Sequence, residues 1–253
     1  QKQRALPLTQ QIDARTWKAL TAERGLRVHD HVDIFDPMLR QSAKVLENAG
    51  ARPTLAGGTC NGVAALLGEL MASGVGTGEL LLLRFHGHGN KGVQALSYGT
   101  TAHTYFDALL GQSVPDLHHL PAFDTLDPGL RKAAQTTVLH SQLSLASMAL
   151  PSIAHELSML APLFHSHCSV EFHGCQVGAR EVGRSMLRAF ADRVAVPAVG
   201  ALTRQLTSHA VRYHGAVEIQ CPGGQALRQW VRRLPAIAAS MSCDVGEQRG
   251  ARV

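Results

Sequence analysis

Two short apolar runs, each closing in a glycine-rich turn that carries a reactive side chain, constrain this sequence more than any other feature. The first, Glu79 to Phe85, runs into His86-Gly87-His88-Gly89-Asn90-Lys91-Gly92. The second, Ser169 to Phe172, runs into His173-Gly174-Cys175-Gln176-Val177-Gly178. Four consecutive leucines, Leu80 to Leu83, leave no polar face, so the first run suits a strand covered on both sides, as strands of parallel sheets are. Helical patterns alternate with these strands. Residues 37 to 49 place Leu39, Ala43, Val45 and Leu46 at helical spacing with Gly50 as a stop, and Arg52 to Leu55 follow as a short connection or strand. A glycine-rich turn at 57 to 62 leads into a helix ended by Gly74, and another helix spans Arg180 to Val194.

Residues 100 to 165 carry no strand pattern but several helical ones, Leu130 to Leu150 and Ile153 to Phe164 among them, punctuated by Pro115, Pro121, Pro128 and Pro151. Beyond Pro197 a third strand is expected at Ala198 to Ala201. A strand pair around Ala210 to Gln220, a turn at Pro222 to Gly224 and a terminal helix near Gln225 to Ser240 follow. Alternating strand and helix predicts an α/β fold: a mostly parallel sheet with helices on both faces and a helical insertion at about 100–165.

The 253 residues suffice for one medium α/β domain and an accessory piece. The formal charge of +5 comes from scattered Lys and Arg with no basic run interleaved with aromatics, so no nucleic-acid partner is expected. Arg228, Arg232 and Arg233 read as a solvated helix face. Five cysteines (Cys60, Cys168, Cys175, Cys221, Cys243) form no CxxC pair, which argues against a zinc ribbon or a disulfide scaffold. No apolar stretch approaches the roughly 20 residues that span a bilayer. The N-terminus lacks the layout of a signal peptide, and a start at Gln1 suggests a piece of a longer chain.

In such sheets ligands gather beyond the carboxyl ends of the strands, where both glycine-rich turns fall. A cysteine just before a helix is a favoured nucleophile, because the helix N-terminus and a nearby imidazole stabilise the thiolate. Cys175 is therefore the candidate nucleophile and His88 the candidate base, with His86 as the alternative base. Gly174 lets substrate backbone approach, and the N–H groups of Gly89 and Cys175 are candidates for an oxyanion hole. His173 lies two residues before Cys175 on the same side of the strand, where it tunes the thiolate or simply fills space. Glu171 is a further candidate cleft residue. As a bland alternative, Cys175 is a small buried hydrophobe. No cofactor and no metal are expected, and His118, His119, His140 and His155 read as surface polarity.

Hydrophobic strand, His-Gly, then a second hydrophobic strand ending in Cys resembles the caspase-like peptidases, which include caspases, metacaspases and gingipains. His88-Gly89-Asn90-Lys91-Gly92 is similar to the family's His-Gly-x-x-Gly, and Gly87 completes the Gly-His-Gly of metacaspases. Val170 to Gly178, followed by Gly183, Leu187, Phe190 and Ala191, resembles a bacterial branch with Gly-Cys-x-Val. The resemblance spans roughly residues 78 to 224. It implies a caspase-like three-layer sandwich and a cysteine endopeptidase, or a self-processing protease, with His88 and Cys175 as its dyad and a protein or peptide as substrate. Caspases carry Gln-Ala-Cys-Arg-Gly where this chain has His-Gly-Cys-Gln-Val-Gly, so aspartate specificity is not implied. The separation of 87 positions between His88 and Cys175 implies the insertion.

Residues 1–24 resemble the end of a small peptidoglycan-binding helical domain at Leu6, Pro7, Thr9, Ile12, Asp13, Thr16, Trp17 and Leu20, with Gln10 where Gly is usual. This implies a cell-wall partner and a bacterial envelope or secreted location, with residues 25–253 as the peptidase domain. Alternatives stay open. One is a catalytically silent scaffold that binds a protein or cell wall. Another is a papain-like peptidase using Cys60 at a helix start with His209 as a later histidine. A third is a metallohydrolase built on His86-x-His88, in which Asn90 stands where a carboxylate would help.

Overall fold

The computed structural model describes residues 25–34, 37–56, 62–97, 128–210 and 212–233. In chain order the elements are β1 (Arg27–Asp33), α1 (Arg40–Asn48), β2 (Thr54–Ala56), α2 (Gly62–Ala72), β3 (Leu80–His86), β4 (Gly89–Asn90), β5 (Val93–Ala95), α3 (Pro128–His140), β6 (Gln142–Ser144), α4 (Leu145–Met148), α5 (Pro151–Leu160), β7 (Phe164–Phe172), α6 (Arg180–Val194), β8 (Ala198–Ala201), β9 (Val217–Gln220) and α7 (Leu227–Arg233). Six strands form one sheet in the order β2-β1-β3-β7-β8-β9, parallel throughout except for β9 at the edge. A second, antiparallel sheet orders β4-β5-β6. The fold is α/β in three layers, with a mostly parallel sheet between helices, as expected.

The two faces of the large sheet differ in chemistry. On one, Leu83, Phe85, Val170 and Phe172 pack with α2, α5 and α6 in a continuous apolar core. Helix α6 contributes Met186, Leu187, Phe190, Ala191 and Val194, spaced three and four apart as one buried stripe. Phe172 stacks on Phe85 and meets Phe190 edge-on. Removing the Phe190 ring from this close-packed site would cost about 3–5 kcal/mol. On the other face, a small apolar cluster of Val32, Ala43, Leu46 and Ala210 seats α1. Towards the carboxyl ends of the strands that face turns polar. Asp30 sits opposite Arg84, and Arg84 opposite Glu171, in one row across β1, β3 and β7.

Several elements differ from the sequence reading. Strand β1 was not expected: its sequence, RVHDHVD, puts charged and imidazole groups where a strand pattern needs apolar ones, yet Asp30, His31 and Asp33 are buried. The helical run from Leu130 to Leu150 is broken after His140, where β6 pairs antiparallel with β5. Ser144 closes β6 and caps α4, its Oγ accepting from the Ser147 N–H. Strand β7 begins five residues earlier than Ser169, at Phe164. The expected strand pair around Ala210 to Gln220 is a single strand, β9, preceded by a 3-10 turn at Thr207–His209 and a loop. The order β2-β1-β3-β7-β8 reverses direction between β1 and β3, so the crevice for ligands lies at the carboxyl ends of the central strands.

Candidate active site

Strands β3 and β7 are neighbours and end side by side, and the two glycine-rich turns that follow them touch through their backbones. A Cβ on Gly89 would sit 2.7 Å from the Cys175 nitrogen and from Gly174 Cα, so only glycine permits this approach. Buried Gln94 on β5 joins the turns. Its Nε2 donates to the Ala95 and His88 carbonyls, and its Oε1 accepts the Gly174 N–H at 2.9 Å. The His88 carbonyl also receives the Ala95 N–H. Gly92, in the β4–β5 turn, donates its N–H to the Val177 carbonyl. The small sheet thus braces both turns.

A third loop holds Cys175. The Gln205 N–H donates to Cys175 Sγ at 3.3 Å, and the Sγ–H faces the Gln205 carbonyl at 3.7 Å. The Gln176 N–H and Gly178 N–H are taken by the Thr203 and Ala201 carbonyls. Gln205 is itself locked, since its side chain donates to the Thr203 and His214 carbonyls and accepts the His214 N–H. Gln176 adopts φ 57°, a left-handed conformation that costs a non-glycine residue about 1–2 kcal/mol and turns the chain sharply after Cys175. Helix α6 starts only at Arg180. The Gln205 N–H therefore contacts the sulfur, whereas the sequence reading had assigned the stabilisation to the helix N-terminus and a nearby imidazole.

His86, His88, His173 and Cys175 line one cleft together with Met38, Leu39, Ser42, Gln205, Leu206, Thr207 and Ala210. The floor of this cleft is the polar face of the sheet. Arg84 grips Asp30 with two hydrogen bonds of 2.6 and 3.0 Å. His86 Nε2 meets Asp30 Oδ1 at 3.0 Å, and the His86 ring packs on His173, with ring centres 4.7 Å apart. His173 in turn stacks on Tyr213 at 4.3 Å and bonds Glu171 Oε2 at 2.9 Å. Burial lowers the His86 pKa to about 4, against the pull of Asp30, so the imidazole is neutral at neutral pH and donates its Nε2–H. Burial opposes ionisation of Asp30 as well, but hydrogen bonds from His86 and the charge of Arg84 hold the carboxyl below the usual range. Glu171 is depressed in the same way by His173 and Arg84. Burial raises the Tyr213 phenol, and Glu171 adds to that shift.

All the residues proposed from the sequence for this site, His88, Cys175, Gly89, His86, His173 and Glu171, are brought together. Glu171, though, is turned to His173 and Arg84 and is not among the residues lining the cleft. Cys60, His118, His119 and the segment 1–24 lie outside the described residues. His140 and His155 belong to α3 and α5, away from the cleft. Sequence reasoning missed Asp30, Arg84, Tyr213, Gln94 and Gln205. Only Arg84 carried a signal, as the one charge inside an apolar strand. Among the described residues no helix is long and apolar enough to cross a membrane. No protein-family model matches this chain, and neither the curated proteins nor the solved structures compared with it yield a match.

Proposed function

We propose that this protein is a caspase-like cysteine endopeptidase, or a self-processing protease, acting through Cys175 and His88. One observation carries this reading: two side chains from different strand ends, 87 residues apart in sequence, open on the same cleft while the Gly89 backbone presses on the Cys175 amide. The Cys175 sulfur, held by the Gln205 N–H, attacks the substrate carbonyl as its thiolate. The Gly89 and Cys175 amides hold the oxyanion, and His88 gives its proton to the leaving amine, which departs as the thioester forms. Water then attacks the thioester, His88 takes its proton, and the carboxylic acid product leaves with the Cys175 thiol restored. His88 and Cys175 approach the scissile bond from two loops, so a direct bond between them is not required.

The substrate side chain meets a wall of Met38, Leu39, Leu206 and Ala210, of which Met38 is 60% and Leu206 49% exposed. This favours an apolar or small residue next to the cleaved bond. With Glu171 engaged by His173, an acidic pocket for Arg or Lys has no support from the described residues.

Incubation of the wild type and Cys175→Ala with a peptide library, followed by mass spectrometry, tests the proposal. Cleavage after apolar residues by the wild type alone supports it. Cleavage retained by Cys175→Ala refutes it. A second reading, a silent scaffold that binds a protein or cell wall, is favoured by the enclosure of Sγ between the Gln205 N–H and carbonyl. Iodoacetamide separates the two, since an active thiolate is alkylated at Cys175 faster than at buried Cys168 and Cys221, whose thiols burial pushes up.

A further inference from the structure

On the opposite side of β1 from Asp30, two imidazoles and a carboxylate converge. His29 and His31 are two apart on the strand, so both point to the face covered by α2. Glu69 of α2 reaches between them: its Oε2 lies 3.4 Å from His29 Nε2 and 3.0 Å from His31 Nδ1. The three ligand atoms all lie within 4.8 Å of one another. Bonds of 2.0–2.2 Å in a tetrahedral zinc site place neighbouring ligand atoms about 3.3 Å apart. The two edges to Glu69 bracket that spacing, and the third, between the imidazoles, is no longer than 4.8 Å.

The second ring nitrogen of His31 supplies an independent indication. His31 Nε2 is 2.8 Å from the Leu96 carbonyl, which can only accept, so Nε2 carries the proton. That leaves Nδ1, if the ring is neutral, aiming its lone pair at a carboxylate oxygen 3.0 Å away. Two electron-rich atoms hold this distance only with a cation between them, either a proton or a metal ion. A histidine oriented through its far nitrogen by a backbone carbonyl is the usual support of a metal ligand. The triad is buried at His31 and nearly so at His29, while Glu69 keeps 17% of its side chain exposed and gives the ion a way in.

We propose that His29, His31 and Glu69 bind a single divalent transition-metal ion of the zinc type. Three protein donors leave a fourth position for water. The ion ties β1 and α2 together and, through His31, the Leu96 carbonyl just beyond Gln94. The site is separate from the cleft and does not rest on the peptidase reading.

Untagged full-length protein, stripped with chelator and titrated with zinc alone, tests the assignment. One ion per chain is expected, with a rise in melting temperature on saturation. Glu69→Gln and His29→Asn should weaken zinc binding by about 100-fold or more, beyond the loss usual for an outer-shell change. Cys175→Ala, which alters the cleft but none of these ligands, should bind as the wild type does. Cobalt provides a measurement on the wild type alone: intense visible bands without a near-ultraviolet thiolate charge-transfer band mark tetrahedral binding by nitrogen and oxygen. No ion retained by the wild type, an ion retained equally by Glu69→Gln and His29→Asn, or a thiolate band would each overturn the assignment. The triad would then be an imidazolium–carboxylate pair.

Discussion

Two histidines two residues apart do different work because burial and partners separate them. His88 is partly open to the cleft, whereas His86 is 3% exposed and fixed by Asp30 on one side and the His173 ring on the other. If His88 is the general acid and base, His88→Ala should lower kcat/KM by about 10²–10⁴-fold with little change in melting temperature. His86→Asn should lower stability more than rate, because it leaves the Asp30 carboxylate short of one buried partner, a loss of about 1–3 kcal/mol. Peptide hydrolysis and urea unfolding measured on the same two variants decide the matter. The reverse pattern would move the base to His86. In the sequence both belong to one His-Gly-His-Gly doublet, and only the resemblance to His-Gly-x-x-Gly put His88 ahead of His86. What distinguishes them is Asp30, which lies 56 residues away and reaches His86 only through the pairing of β1 with β3.

At the level of elements, the site depends on how closely two turns can approach. Gly89→Ala would push a methyl group into the Gly174–Cys175 backbone at 2.7 Å, and backbone cannot swing aside as a side chain can. The variant should lose about 1–3 kcal/mol of stability and, on the proposed function, its peptide hydrolysis. Gly68→Ala in α2, where nothing lies within 4 Å, is the control and should gain up to about 1 kcal/mol from helix propensity. Thermal melts and hydrolysis assays on the pair would show whether the cost is specific to the turn. The apolar strands β3 and β8 and helix α6 could be read from the sequence because each carries one uninterrupted signal, a leucine run, a Pro-bounded strand or a single apolar stripe. Strand β1 could not, because its buried faces are made of His and Asp satisfied by distant partners. The three-residue strands β5 and β6 are too short to show a period. Gln94 was invisible for the same reason as Asp30, since the Gly174 N–H it accepts is 80 residues away.

Across the whole molecule, one face of the central sheet is apolar beneath β3 and β7 and the other holds an ionic row, and the second face makes the fold acid-sensitive. His86 titrates at about 4 when folded and near 6.5 when unfolded, so between these values the unfolded chain binds a proton that the folded one excludes. Stability from this group is full above pH 6.5 and is lost as pH falls to 4, a change on the order of 3 kcal/mol. The groups facing His86 are Asp30, Arg84, His173 and Glu171, with Tyr213 behind His173. The depressed carboxylates among them lose their contribution only below the ordinary carboxylate range. Urea titrations at pH 7, 5.5 and 4.5 should show unfolding midpoints falling with pH in the wild type and a flatter profile in His86→Asn. The walls of the cleft, finally, come from four stretches of chain between Met38 and Ala210. A chain emerging from the ribosome has made both His88 and Cys175 before the loop that grips the sulfur exists. On the proposed reading, chemistry at Cys175 would wait until the chain has been completed through Ala210 and closed, so an unfinished chain would not cleave its surroundings.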